Sequence, residues 1–378
     1  MNILFLSSWY PNKITPTNGD FVQRHAQAVA LIHEVIALHV IFDVNLQSFK
    51  KIDISEKQQV TEYIVYFSLP KFLIFLKPFL FIWFYISSFQ IIRKKYGKPD
   101  IVHANILYPI GIIAVIYKFL FRVPYVCSEH WCAFLIDANI YLPRITMCAI
   151  RYIARKALCI MPVSEYLQHS MQEKKIVGNY AVINNVVETE IFTPNENVNK
   201  PIHKILHIST LKNGHKNIRG ILRTIKNISE IRQDFVLEII SENSGDELLA
   251  YAKELRIEKF ITFHGYKNRI ELSKILADCS FFLLFSNYES FSCVIVEAFA
   301  AGKPVISSNT VGVLKHITPD KGLIVEKGNE EDLQNKILWL LDNYNTYNAA
   351  MIHNYADKKF SYRHIAEEFN TIYKKIAP

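Results

Sequence analysis

The chain is poor in glycine. Its 378 residues include only 12, and they are scattered. No G-x-G-x-x-G follows the first strand-like run and no G-x-x-x-x-G-K-[ST] occurs anywhere, which excludes the ordinary nicotinamide-binding and P-loop sites. The six cysteines show no C-x-x-C pair and no framework-like spacing, so reduced thiols in a cytoplasm are expected. The tightest cluster, "CSEHWC", sets His130 between Cys127 and Cys132 but lacks a fourth ligand, and no metal site is expected. The opening "MNILFLSSWYPN" has no basic n-region and too short an apolar run for a signal peptide. It reads as a first buried strand.

What is present is globular in character. Half of the residues are hydrophobic and 21% are charged, enough for two domains of ordinary size. The net charge of +8 points to an anionic partner. The basic residues form no single stripe and no nucleic-acid module is recognisable, so nucleic acid is not the expected one. One segment stands out, "KFLIFLKPFLFIWFYISSFQIIRKKYGK" (71–98), apolar and aromatic between lysines. Lys77-Pro78 is expected to break it and leave a run of about fourteen residues, short of the ~20 a membrane span needs. It supports two readings. One is a core helix with a basic C-terminal end suited to the helix dipole. The other is a peripheral patch, with aromatics in a membrane interface and lysines on anionic headgroups.

Along the chain, "NILFLSS", "IALHVIF", "DIVHANI", "PYVCSEH" and "CIMPVSE" read as strands, each followed by room for a crossover helix. The polar "TPNENVNKP" (193–201) interrupts the pattern. It resumes with "KILHIST", "FVLEIIS", "KFITFHG", "CSFFLLFS" and "KPVISS". Such alternation predicts two α/β halves, each a doubly wound parallel sheet, joined near residue 195. In these sheets ligands bind at the carboxyl ends of strands.

One such end carries "SNYESFSCVIVEAFAAGKPVISS". The reading places Glu289 in the loop after a buried strand, a helix start capped by Ser290 or Ser292, and a stop at Gly302. Free N–H groups of Phe291, Ser292 and Cys293 at the helix start would suit a phosphate. Glu297, inside the apolar run, needs donors, and ribose hydroxyls would serve. The plainer alternative makes Glu289 a dipole-favoured residue and Glu297 an exposed position of an amphipathic helix.

This segment resembles the E-x7-E motif of retaining, nucleotide-sugar-dependent glycosyltransferases of GT-B architecture, family four. The likeness extends over nearly the whole chain. "SSWYPNKITPTNGDFVQRHAQAVA" is similar to the family's first strand, glycine-bearing loop and first helix, and "PDIVHANILYPIG" to its D-x-V-H segment. "PYVCSEHW" resembles the strand ending in the family's histidine, and "LHISTLKNGHKN" stands where the family has an R-x5-K pair. The resemblance implies two Rossmann-like domains, 1–195 on the acceptor side and 196–358 on the nucleotide-sugar side, facing across a cleft, with 359–378 as a helix returning to the first. It implies that Glu289 holds hydroxyls of the donor sugar and Glu297 the ribose. The N–H groups of Phe291, Ser292 and Cys293, with Lys216, would hold the diphosphate. Gly19 would let its loop approach that diphosphate, His130 would sit near the sugar, and Tyr266 would lie against the base. Catalytic roles fall to Glu289, His130 and Lys216.

The departures are specific. Thr210 replaces the arginine of the R-x5-K pair, removing a bidentate phosphate clamp. Ser290 and Ser292 replace both glycines of E-G-F-G, and Val311 and Lys315 replace Gly and Glu of a G-G-x-x-E segment. The expected activity is retaining transfer from a nucleotide-diphosphate sugar to a glycan or lipid-linked acceptor, in bacterial surface polysaccharide synthesis. No cofactor is expected, and the absence of any D-x-D accords with a reaction that needs no metal. The expected location is the cytoplasm, at the inner face of the membrane if 71–98 contacts it. The departures keep two alternatives open, a non-catalytic GT-B partner subunit and a nucleotide-sugar epimerase.

Overall fold

The structure is a computed structural model describing residues 1–195 and 201–376. The chain forms two compact units. Unit 1 comprises residues 1–134, 140–186 and 362 onward, and unit 2 comprises 135–139 and 187–361. The expected linker at 193–201 falls largely on 196–200, outside the described residues. By packing, the main change of unit comes at Val186 and Val187.

Unit 1 runs β1 (Asn2–Ser7), α1 (Asp20–Ala30), β2 (Glu34–Phe42), β3 (Lys50–Lys57), β4 (Val60–Phe67), α2 (Lys77–Tyr96), β5 (Ile101–Asn105), α3 (Ile110–Phe121), β6 (Tyr125–Glu129), α4 (Arg144–Lys156), β7 (Ile160–Pro162) and α5 (Glu165–Glu173). Its seven strands are ordered β3-β4-β2-β1-β5-β6-β7. All pairings are parallel except β3 with β4. Central strands buried on both faces must be apolar throughout, and "ILFLS" in β1 is buried at every position. Ile3 and Phe5 join one core cluster with Val22 and Val29 of α1. The other face of the sheet takes α2: the Phe84 ring lies 5.0 Å from Phe67, and Tyr85 donates its hydroxyl to the Ser7 carbonyl at 2.9 Å. α3 packs between α2 and α4.

The β3–β4 hairpin was not expected from the sequence. It turns on Gln58 and Gln59, with φ of 45° and 66°, positions usually marked by Asn-Gly. The break expected at Lys77-Pro78 is a change of helix type. A 3-10 turn over Lys71–Leu76 leads directly into α2, with Pro at the helix start, where its missing N–H costs nothing. The apolar helical stretch is therefore 26 residues long, not about fourteen.

Unit 2 runs β8 (His203–Ile208), α6 (Asn213–Lys216), α7 (Ile218–Ser229), β9 (Phe235–Ile240), α8 (Asp246–Glu254), β10 (Ile261–His264), α9 (Arg269–Asp278), β11 (Phe281–Leu284), α10 (Cys293–Ala300), β12 (Val305–Ser308), β13 (Gly322–Val325), α11 (Glu330–Asn343) and α12 (Ala349–Phe360). Its six strands are all parallel, ordered β10-β9-β8-β11-β12-β13. A last helix, α13 (Tyr362–Ile376), belongs to unit 1, where Ile365, Ala366, Phe369 and Tyr373 enter the core cluster beside α1.

Candidate active site

In unit 2, β8 and β11 are adjacent central strands, so the loops at their carboxyl ends meet. The loop after β8 forms α6 and the loop after β11 holds Glu289. The Asn287 N–H donates to the His215 carbonyl at 2.8 Å and stitches the two together. Lys216 then forms an ion pair with the Glu289 carboxylate. Nε2 of His215 lies 3.6 Å from the same oxygen, with its ring stacked on Tyr288 at 4.5 Å. Ser286 adds its hydroxyl to that oxygen at 2.9 Å. Burial alone would push the Glu289 carboxyl up. The Lys216 charge and His215 beside it outweigh burial and hold it down to about 2. Its backbone is fixed as well: the Glu289 N–H donates to the Thr310 carbonyl, and the Gly312 N–H to the Glu289 carbonyl, at 2.9 and 3.0 Å. The result is an ionised, immobile carboxylate with a cation against it, an arrangement able to hold hydroxyl groups and an anion side by side.

Glu297 is buried in α10, not exposed. Its partner is within the protein: Arg269 Nη1 donates to Glu297 Oε1 at 2.8 Å, while the same guanidinium pairs with Glu188 and covers the Phe192 ring at 5.0 Å. Arg269 thus supplies a donor of the kind that ribose hydroxyls were expected to supply, and the plainer alternative of an exposed Glu297 is overturned. Neither Arg269 nor Glu188 was singled out from the sequence. A signal existed, since "NRIEL" begins with a capping box from Asn268 to Glu271. That places Arg269 in a helix first turn, where the dipole disfavours a cation and a carboxylate partner is needed.

α10 begins at Cys293, with Ser292 as its N-cap residue, but the Ser292 side chain makes no capping bond. Its backbone is left-handed, φ 82°, a conformation that favours glycine. Phe291 is buried, its ring near Phe360, so of the three expected anion-binding positions only Cys293 lies within the helix. α10 ends at Ala300 and Gly302 has φ 70°, matching the expected stop.

The remaining unit 2 positions are open. Thr210 is exposed after β8 and its carbonyl accepts from Asn243 at 2.5 Å. Lys212, at the N-cap of α6, is also exposed, and His215 turns to Glu289, so no arginine-like fork stands in for the missing residue. Tyr266 lies in the loop after β10, 59% exposed.

In unit 1, Gly19 starts α1 with φ 79°. A Cβ there would lie 2.3 Å from the Trp9 carbonyl carbon, so the packing of its own loop already requires glycine. His130 follows β6, buried, its ring 4.6 Å from Phe21 and 5.3 Å from His25. Burial keeps the ring neutral, well below its ordinary value, against a smaller pull the other way from the Asn185 side chain. Sequence reasoning passed over its neighbour Glu129. That fully buried carboxylate accepts from the N–H groups of Leu107, His130 and Trp131, each at 2.8 Å, and so fixes the turn carrying His130. Burial pushes its carboxyl up to about 7 against the pull of those donors. His103, in the D-x-V-H segment, is saturated by the Tyr373 hydroxyl at 2.6 Å and Ser128 at 2.7 Å. That makes it a joint between β5, β6 and α13.

Two family models match consecutive parts of the chain, "Glycosyltransferase Family 4" over residues 43–191 and "Glycosyl transferases group 1" over 188–358. An uncharacterized glycosyltransferase of Methanocaldococcus jannaschii is 28% identical over 280 residues, 71% of this chain and 73% of that one. A Campylobacter jejuni enzyme, the N-acetylgalactosamine-N,N'-diacetylbacillosaminyl-diphospho-undecaprenol 4-alpha-N-acetylgalactosaminyltransferase, is 32% identical over 132 residues, 34% of each chain. Among solved structures, sucrose-phosphate synthase from Thermosynechococcus elongatus superposes with a TM-score of 0.80 at 16% identity, over 100% of this chain and 99% of that one. Anabaena HepE in complex with UDP gives 0.75 at 16% identity, covering all of both chains. The fold is thus the expected GT-B class of two Rossmann-like domains, and with the two models together matching residues 43–358 the chain belongs to the group 1 glycosyltransferases.

Proposed function

We propose that the chain moves a sugar from a nucleotide-diphosphate sugar to a glycan or lipid-linked acceptor, with retention of anomeric configuration and without a metal ion. The biological setting is bacterial surface polysaccharide synthesis, at the cytoplasmic face of the membrane. The observation that carries this reading is the ionised Glu289 held against Lys216 at the carboxyl ends of β8 and β11, with Glu297 eight residues on. Glu289 accepts from hydroxyls of the donor sugar and Lys216 swings to the diphosphate, neutralising charge as the leaving group departs. The α10 N-terminus at Cys293 and the adjoining backbone of Phe291 and Ser292 add N–H donors. Glu297, oriented by Arg269, takes the ribose, and Tyr266 lies along the base. Thr210 leaves the diphosphate one cationic fork short, so Lys216 bears more of that charge. The roles of Gly19 and His130 rest on the family resemblance.

A front-face displacement fits these residues. The leaving diphosphate oxygen takes the acceptor's proton as the glycosidic bond breaks and the new bond forms on the same face. The protein supplies position and charge stabilisation in place of a covalent nucleophile. Support for the donor class comes from HepE, whose structure holds UDP. Support for a lipid-linked acceptor comes from the Campylobacter relative, whose name specifies a diphospho-undecaprenol substrate.

The test is transfer from a panel of α-linked nucleotide sugars to a bacterial lipid-linked saccharide extract, in the presence of EDTA, with the product anomer read by NMR. An α product, lost in Glu289→Gln, is expected. A β product or a strict metal requirement would overturn the corresponding part of the reading.

A further inference from the structure

One face of unit 1 carries a charge pattern that the catalytic reading leaves unexplained. α2, α3 and α4 contain no aspartate or glutamate at all, whereas α2 and α4 each carry four lysines or arginines. Helices usually mix both signs on their solvent face. On the opposite face of the same sheet, α1 and α13 do so, with Asp20, Glu367 and Glu368 among their residues. Large apolar side chains stand in solvent on the acid-free side. In the most apolar 18-residue window of Lys71–Tyr96 only 22% is buried. Phe72 is 77% exposed and Phe79 is 71% exposed, with Phe75 and Trp83 also open. The pattern continues onto α4, where the exposed stripe includes Arg144, Ile145, Tyr152 and Arg155.

We propose that the whole α2–α3–α4 layer is a docking surface for an anionic lipid bilayer. It would be held by the aromatics of 71–83 and by a second basic anchor on α4, which starts at Arg144. This deepens the membrane contact proposed above, from segment 71–98 to a three-helix face, and commits it to phospholipid headgroups. α2 does not span the bilayer, because its inner side is spent on the protein: Phe84, Tyr85, Phe89 and Ile92 are fully buried in unit 1, and the Tyr85 hydroxyl accepts from the Val40 N–H and donates to the Ser7 carbonyl. A helix with one face in a core and an aromatic, basic face outward lies in the interface plane. Trp83 sits at its middle, at the depth where indole rings settle between headgroups and acyl chains.

Co-sedimentation with phosphatidylcholine vesicles, with and without phosphatidylglycerol, tests this without donor or acceptor, so it is independent of transfer activity. The full chain should pellet with the anionic vesicles, release as salt is raised, and show a blue-shifted Trp83 emission that Trp83→Phe removes. The pair Arg144→Gln and Arg155→Gln lies outside the aromatic segment and should weaken binding by about fivefold per charge, the equivalent of ~1 kcal/mol for each basic residue near the surface. The triple variant Phe72→Ser, Phe75→Ser, Phe79→Ser should abolish the Trp83 shift. These positions are exposed, so unchanged melting temperatures verify folding. Binding that ignores the α4 charges would overturn the second anchor. Failure to pellet with anionic vesicles, or elution of the free chain as a salt-stable oligomer that the phenylalanine variant dissociates, would overturn the membrane assignment and make the face a protein interface.

Discussion

A buried carboxylate can owe its place to the protein or to a ligand, and this chain has examples that differ in kind. Glu297 is neutralised from within by Arg269. Arg269→Ala should therefore cost on the order of 2–3 kcal/mol of stability, measured by denaturant unfolding, because it leaves a buried charge short of its partner. Glu129 has backbone donors but no cation. Its pKa is raised by burial from the ordinary 4.5 to about 7, so the folded state holds the proton more tightly. The stabilisation this gives is complete below pH 4.5 and is lost as pH rises through 7, roughly 1.4 kcal/mol per unit. The buried His25, His39 and His207 run the other way. Burial lowers each to about 4, so their contribution is present above 6.5 and lost as pH falls to 4. Wild type minus Glu129→Gln isolates the first slope from the second. A difference curve flat between pH 4.5 and 7 would contradict it. Ser292, a β-carbon residue at φ 82°, predicts that Ser292→Gly stabilises by about 1 kcal/mol in the same assay.

At the scale of elements, what was legible in the sequence followed from burial. Strands buried on both faces announced themselves as apolar runs, and the ten expected strands all have counterparts in the two sheets. The hairpin β3–β4 escaped because β3 is an edge strand, half polar, and its turn is Gln-Gln. β13, only four residues long, gave too little pattern. The reach of the helix at 71–96 was underestimated because proline was read as a break when it occupies a permitted first-turn position. In unit 2, Glu289 and Lys216 were singled out by motif while Arg269 and Glu188 were not, and in unit 1 Glu129 was passed over. Arg269 and Glu188 pair across 81 residues of sequence, and Glu129 takes the Leu107 N–H across 22, contacts that no local window contains. At Gly19 the backbone approach expected from the sequence has a partner within its own loop, at Trp9. Gly19→Ala should force Trp9 and Tyr10 from their positions and lower the melting temperature by several degrees. The same element-scale logic applies to α13: a chain ending at residue 361 exposes the core positions of Ile365, Phe369 and Tyr373, each worth roughly 1.5–3 kcal/mol. Unit 1 should no longer unfold cooperatively in a calorimeter.

For the whole molecule, the family assignment rests on order as well as content: both models match, one after the other, in the sequence order that this architecture requires. The central claim is narrower, that the Glu289–Lys216–Glu297 constellation in unit 2 is a nucleotide-sugar site. It is tested most directly by thermal shift with UDP-, GDP- and ADP-sugars in EDTA, on wild type and on Glu297→Ala, each referred to its own ligand-free melt. A ligand at about 100 times its Kd stabilises by ~2.7 kcal/mol. The account predicts that one nucleotide class raises the wild-type melt and that Glu297→Ala abolishes the rise. A wild-type melt unmoved by every nucleotide sugar would contradict it.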